Sequence, residues 1–172
     1  VGARVELMRQ VCDAVGYLHG NLVIHRDIKP SNILVDVGGT VKLVDFGIAK
    51  LVGDVGELTR EHGGAFTPDY AAPEQIRGVT LTTAADVYSL GAVLHRLLTG
   101  VKPQGKGDSV SRPSALFGVT STLPPNERDA LARQRGQTAR RLERQMRDEL
   151  DLVLLKALAH EPAERYASAT SL

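Results

Sequence analysis

His25-Arg26-Asp27-Ile28-Lys29-Pro30-Ser31-Asn32 sets one acid, one cation and one amide in fixed order within a short polar loop that carries a proline. Lys29 presents a point charge two residues beyond Asp27, which suits an anionic group beside a base. Asn32 and Asp45, the latter opening Asp45-Phe46-Gly47, offer two oxygen donors, and hard oxygen donors suit Mg²⁺ held partly by phosphates. Upstream, Val5, Met8, Val11, Cys12, Val15 and Leu18 recur at helical spacing, so a helix is expected from about Ala3 to Gly20, with Gly20-Asn21 as its stop. Cys12 falls on the apolar face and reads as a small buried hydrophobe. Downstream, Ile33-Leu34-Val35 and Val41-Lys42-Leu43-Val44 flank a Gly38-Gly39 turn and predict a hairpin that fixes the separation of Asn32 from Asp45.

Further motifs follow in order. Residues 48–66 are polar and glycine-rich, with little apolar area to bury, and read as a mobile surface segment. Thr67-Pro68-Asp69-Tyr70-Ala71-Ala72-Pro73-Glu74 closes it. From Thr83 to Gly100 apolar residues cover most of a helical circumference, so a central buried helix is expected, capped by Thr82 or Thr83 and ended by Gly100. Asp86 lies in its first turn, where the helix dipole favours an acid. Leu150, Val153, Leu154, Ala157 and Leu158 predict another core helix ending near His160-Glu161-Pro162.

Taken together, the loop, Asp45-Phe46-Gly47, Ala72-Pro73-Glu74 and Asp86-Val87-Tyr88-Ser89-Leu90-Gly91 resemble the H-R-D-x-K-x-x-N, D-F-G and later motifs of eukaryotic-type (Hanks-type) serine/threonine protein kinases of bacteria. Each motif alone is weak; their order and gaps carry the resemblance. The implied fold is protein-kinase-like: mainly α with a short β-hairpin, the larger helical lobe of a family whose intact fold is α+β in two lobes. Residues 1–172 correspond to a partial kinase domain, with catalytic loop 25–32, D-F-G 45–47, activation segment 45–74, and helical core 83–100 and 147–159. No Gly-rich loop, strand lysine or hinge precedes the first helix, so the ATP-binding lobe is expected to be absent from this stretch, and both ends read as cut.

The resemblance implies transfer of the ATP γ-phosphoryl group to Ser or Thr hydroxyls of protein substrates, with ATP and Mg²⁺ (or Mn²⁺) as cofactors. Asp27 would orient the hydroxyl and accept its proton. Lys29 would stabilise the transferring group, and Asn32 and Asp45 would hold the metal. Thr67 would wall the acceptor site, and with Lys29 it favours Ser/Thr over Tyr. His25, Phe46 and Gly47 would complete the loop motifs, and Arg26, with Lys50 and Arg60 nearby, would order a phosphorylated Thr59. Glu74, if buried, needs a partner, and Arg165 stands where the family places one. Asp86 would also tie down the catalytic loop. Leu22-Val23-Ile24 is expected as a short strand entering that loop.

Composition sets outer bounds. With 42% hydrophobic and 24% charged residues the chain is an ordinary globular one, and a formal net charge of +1 argues against a partner selected by bulk charge. One cysteine excludes an internal disulfide and fits a reducing, cytoplasmic setting. No apolar run is long enough to span a bilayer, so any membrane anchor lies outside this stretch. Between Gly100 and Pro113 glycines and prolines preclude the docking helix usual in the family. Seven arginines against three acids lie between Glu127 and Arg147, but without interleaved aromatics they read as a solvated helix face, and no nucleic acid is expected. The competing reading is a non-catalytic, kinase-like interaction module, a lobe that binds partners through exposed apolar surface.

Overall fold

The computed structural model describes residues 1–45, 68–103, 105–106 and 109–172. Helix α1 (Gly2–Gly20) buries Met8, Val11, Cys12 and Val15, the stripe that the sequence spacing marks. It packs on α3 (Thr83–Thr99), on the second strand of a hairpin, and on a 3-10 turn at Ala169–Ser171. The hairpin joins β1 (Ile33–Val35) antiparallel to β2 (Val41–Leu43), with Leu34 opposite Lys42. Asp36 closes its turn: its Oδ1 accepts the backbone N–H of Gly38 and of Thr40, each at 2.9 Å.

Helix α3 is the axis of the molecule. Val87, Leu90, Ala92 and Leu98 are all but fully buried, and so are the polar residues Asp86, His95 and Thr99. Thr82 Oγ1 accepts the Ala84 N–H at 3.3 Å, and Gly100 ends the helix at φ 91. That left-handed conformation suits glycine, and a Cβ there would run into the Arg135 guanidinium. Arg135 itself donates to Leu98 O and Leu131 O, satisfying end carbonyls of α3 and of the helix Pro125–Arg133. Burial pushes the His95 imidazole down to about 4, so it is neutral at physiological pH and sits in hydrogen-bond contact with Val101 O.

Helix α6 (Glu149–Ala157) crosses α3 at Gly91, where a Cβ would lie 2.8 Å from Ala157 Cβ and 3.3 Å from Leu158 Cγ. Gly91→Ala is therefore expected to force the two helices apart at a cost of about 1–3 kcal/mol. A melting temperature unchanged from that of the parent chain would show that the contact is looser than the geometry says.

Several expectations need correction. The α+β, two-lobed architecture of the intact family is not what the chain forms: its described residues make one mostly helical lobe, with strands only in two-stranded ribbons. Besides the expected hairpin there is a second, β3 (Gly105–Lys106) with β4 (Ser109–Val110), in the segment after Gly100. Leu22–Ile24 is not a strand; Leu22 is exposed and turns the chain at φ 60, and Val23 N–H bonds back to Leu18 O at 3.0 Å, folding the segment onto the end of α1. The arginine-rich stretch is two helices, α4 (Pro125–Arg133) and α5 (Ala139–Met146), broken at Gly136, which has φ 65. A short helix α2 (Pro73–Ile76) follows the Ala71-Ala72 segment.

Candidate active site

The loop 25–32 has no regular structure until Pro30–Asn32, a single 3-10 turn, so something other than ladder hydrogen bonds must hold it. That anchor is Asp86, fully buried in the first turn of α3. Its Oδ2 accepts the His25 N–H at 2.8 Å and its Oδ1 the Arg26 N–H at 2.9 Å. His19 Nε2, at the end of α1, adds a third contact to Oδ2 at 2.8 Å. Gln75 Nε2, from α2, donates to Arg26 O at 2.7 Å. Arg26 is thereby held at φ 67, a left-handed conformation that a non-glycine residue keeps only where its surroundings impose it. The next residue, Asp27, has about a quarter of its side chain exposed.

Lys29 Nζ lies 2.8 Å from Asp27 Oδ2. Asn32, buried, donates through Nδ2 to Asp27 O at 2.8 Å and to Asp27 Oδ2 at 3.1 Å. The acid, the cation and the amide named by the sequence thus meet within one turn of chain. Because Asn32 Nδ2 donates to Asp27, Oδ1 is the atom of this side chain that could hold a cation. The β1–β2 hairpin returns the chain to this point, where Val44 N–H donates to Asn32 O at 3.0 Å and Asp45 follows, exposed, at φ 56. Asp45 makes no hydrogen bond or ion pair with a described residue. The Asn32 amide oxygen, which accepts a long contact from Ser31 Oγ–H at 3.4 Å, and the Asp45 carboxylate could form a hard donor set with only two protein ligands. That suits Mg²⁺, which keeps waters and substrate phosphates in its remaining positions. Among the described residues no group of three His, Cys, Asp or Glu side chains could hold a metal.

Glu74 and Arg165 meet although 91 residues apart. Arg165 Nη1 and Nη2 donate to the two carboxylate oxygens of Glu74 at 2.6 and 2.8 Å, both side chains being buried. Burial by itself would raise the Glu74 pKa. The Arg165 hydrogen bonds and charge outweigh it, so the carboxyl sits below the usual range. Arg165 also lies over the Tyr88 ring, 5.1 Å from its centroid. Phe46, Gly47, Lys50, Thr59, Arg60 and Thr67 fall outside the described residues.

Residues that sequence patterns leave unmarked support the same region. His19 and Gln75 brace the loop as described. Ser89 Oγ, on α3, donates to Tyr70 O at 2.7 Å and fixes the chain just before α2. Asp151, fully buried on α6, accepts Ser114 N–H at 2.9 Å and Ser114 Oγ–H at 2.5 Å. Its signal was an acid within the otherwise apolar run 150–155 of this helix. A cavity of about 370 Å³ lined by Arg112, Ser114, Glu143, Arg147 and Asp151 lies at that end of the lobe and includes no residue of the loop 25–32.

The chain is similar to known proteins over nearly its whole length. The family model for the protein kinase domain matches residues 3–172. The chain is 37% identical over 169 residues to the serine/threonine-protein kinase PknB of Mycobacterium tuberculosis, covering 98% of this chain and 25% of that protein. It is 35% identical over 175 residues to the serine/threonine-protein kinase pkn3 of Myxococcus xanthus, covering 98% and 30%. The crystal structure of the Mycobacterium tuberculosis PknI kinase domain superposes with a TM-score of 0.61 at 27% identity, covering 98% of this chain and 51% of that one. The chain thus spans between a quarter and a third of these two curated relatives and half of the solved domain. No described helix is long and apolar enough to cross a membrane. With its family model matched almost end to end, the chain belongs to the bacterial eukaryotic-type serine/threonine protein kinases, of which it is the larger, helical lobe.

Proposed function

We propose that this chain carries the substrate-side half of a protein serine/threonine kinase active site, and that the 172 residues alone are a non-catalytic lobe. The observation that carries the reading is the Asp27–Lys29–Asn32 cluster on a strained loop clamped to a buried acid. In the intact site Asp27 orients the Ser or Thr hydroxyl and takes its proton, held for that task by Asn32. Lys29 is placed to neutralise negative charge gathering beside Asp27. Asn32 Oδ1 and Asp45 would hold Mg²⁺, which would balance the charge of the ATP that donates the phosphoryl group. Such catalysis is positioning plus electrostatics, so a half-site without the residues that cover the nucleotide loses most of it.

Two measurements test this. The 172-residue chain, incubated with Mg²⁺-ATP and a Ser/Thr peptide, is expected to transfer no phosphate; transfer that disappears in Asp27→Asn would overturn that statement. In a protein that joins this chain to a nucleotide-covering lobe, Asp27→Asn is expected to lower kcat by about 10²–10⁴-fold, the usual contribution of a positioned base. An unchanged kcat there would remove Asp27 from the mechanism.

The second reading, an interaction module that never transfers phosphate, is favoured by the single-lobe fold and by exposed Leu34, Val35 and Val37 on the hairpin. The intact mass of the protein in its source cells separates the two. A mass near 18.5 kDa selects the module, and a mass well above it leaves room for a nucleotide-covering lobe.

A further inference from the structure

Helix α5 carries three arginines without a counter-charge among the described residues. Arg140, Arg141 and Arg144 are exposed, and none makes an ion pair or side-chain hydrogen bond with a described residue. The one acid of the helix, Glu143, is taken by Arg147. Arg140 and Arg144 stand four residues apart, Arg141 and Arg144 three apart, spacings at which like charges destabilise a helix. Arg140 and Arg141 also occupy the first turn, where the helix dipole disfavours cations and where this helix has no acid. The helix forms despite its surface, because Leu142 and Met146 are fully buried and Thr138 Oγ1 accepts the Arg141 N–H. Local sequence that works against its own structure is expected where a surface serves another purpose.

We propose that Arg140, Arg141 and Arg144 form a docking surface for a short acidic segment of another protein. Charge sets the chemistry: guanidinium groups pair with carboxylates through two parallel hydrogen bonds. Size sets the class of partner. Eight residues of helix span about 12 Å, the length of roughly four extended residues. Asp148 and Glu149 are exposed in the residues just after α5, and Glu127 is exposed on α4, which packs against α5. A short acidic peptide matches a patch of this length and charge, whereas the larger footprint of a duplex or an anionic bilayer would bring in these acids as well. No aromatic residue lies between Gly118 and Arg165 to stack on bases. The surface is independent of Asp27 and needs no phosphotransfer.

The test is titration of the 172-residue chain with a fluorescent peptide alternating Glu and Gly, followed by anisotropy at low and high salt. Saturable binding that weakens with salt is expected, about tenfold weaker in the triple variant Arg140→Gln/Arg141→Gln/Arg144→Gln and unchanged in Arg128→Gln, whose side chain already pairs with Asp129. Relief of the repulsion should leave the triple variant melting no lower than the parent. If it unfolds instead, the single substitution Arg144→Glu decides the matter in its place, binding the peptide more weakly than Arg128→Gln does. Equal binding by parent and variant, no binding by the parent, or displacement of the peptide by duplex DNA or phosphatidylserine vesicles at equal charge would overturn the proposal.

Discussion

Arg165→Ala is expected to destabilise the chain by about 3–5 kcal/mol, the cost of leaving a buried charge without its partner. Arg165 uses all five of its N–H donors. Nε bonds Ala159 O, Nη1 bonds Glu74 and Ala84 O, and Nη2 bonds Glu74 and His160 O. It therefore ties α2 to the start of α3 and to the turn after α6, three segments that share no continuous chain. Truncation strands the Glu74 carboxylate and three backbone carbonyls in the interior together. Arg165→Lys should recover little, because an ammonium has three donors and cannot form the planar fork. Replacing both partners by apolar residues of similar volume should cost much less than either single change, since no charge is then left uncompensated. Urea unfolding of the four proteins reads these differences directly, and a loss below about 1 kcal/mol for Arg165→Ala would demote the pair to an ordinary surface contact. The pair also sets a pH dependence. The folded Glu74 pKa lies below its unfolded value, so its stabilisation is complete above the ordinary carboxylate range and is lost as pH falls through the folded value. The parent should lose stability there more steeply than the doubly apolar variant.

Most of the candidate site was legible because its residues are close in sequence or announced by a motif. Asp27, Lys29 and Asn32 occupy one loop, and the Gly38-Gly39 hairpin brings Asp45 back by local rules alone. The α1 and α3 stripes were legible for the same reason, since a helical period sustained over several turns survives any tertiary context. Glu74 and Arg165 lie far apart, and only the resemblance joined them; composition and periodicity leave both as surface charges. The parts that escaped reading depend on backbone conformation or on single polar contacts. Nothing in Leu22-Val23-Ile24 distinguishes an extended run from one turned at a left-handed leucine. The α4–α5 break rests on one glycine in an otherwise continuous helix-forming stretch. His19 and Gln75 act through one hydrogen bond each, and no spacing rule marks them. The two-lobed α+β expectation failed for another reason: it was carried over from a family whose other lobe is encoded by residues that this chain does not contain.

Asp86→Asn is expected to release the loop 25–32 with little change in side-chain volume. The carboxylate serves three donors, His25 N–H, Arg26 N–H and His19 Nε2, and is fully buried. An amide offers one acceptor oxygen and turns an NH₂ group toward the remaining donors, so at least one backbone N–H is left unsatisfied in the interior. That costs about 1–3 kcal/mol for the orphaned group, before the loss of the charge-assisted bonds is counted. The clamp also holds Arg26 at φ 67, a conformation that costs about 1–3 kcal/mol in itself. Without the clamp the loop should relax toward ordinary φ and carry Asp27 away from Lys29 and Asn32. Amide hydrogen exchange separates this account from a general loss of stability. His25 and Arg26 should exchange much faster in Asp86→Asn, while the amides of the α3 core around Leu90 to Leu94 slow or quicken only as global stability dictates. In Asp27→Asn, which leaves the clamp intact, both loop amides should keep their protection. If His25 and Arg26 stay protected in Asp86→Asn, the loop is held by Gln75 and its own turn, and Asp86 is a dipole-stabilised helix acid with no part in placing Asp27.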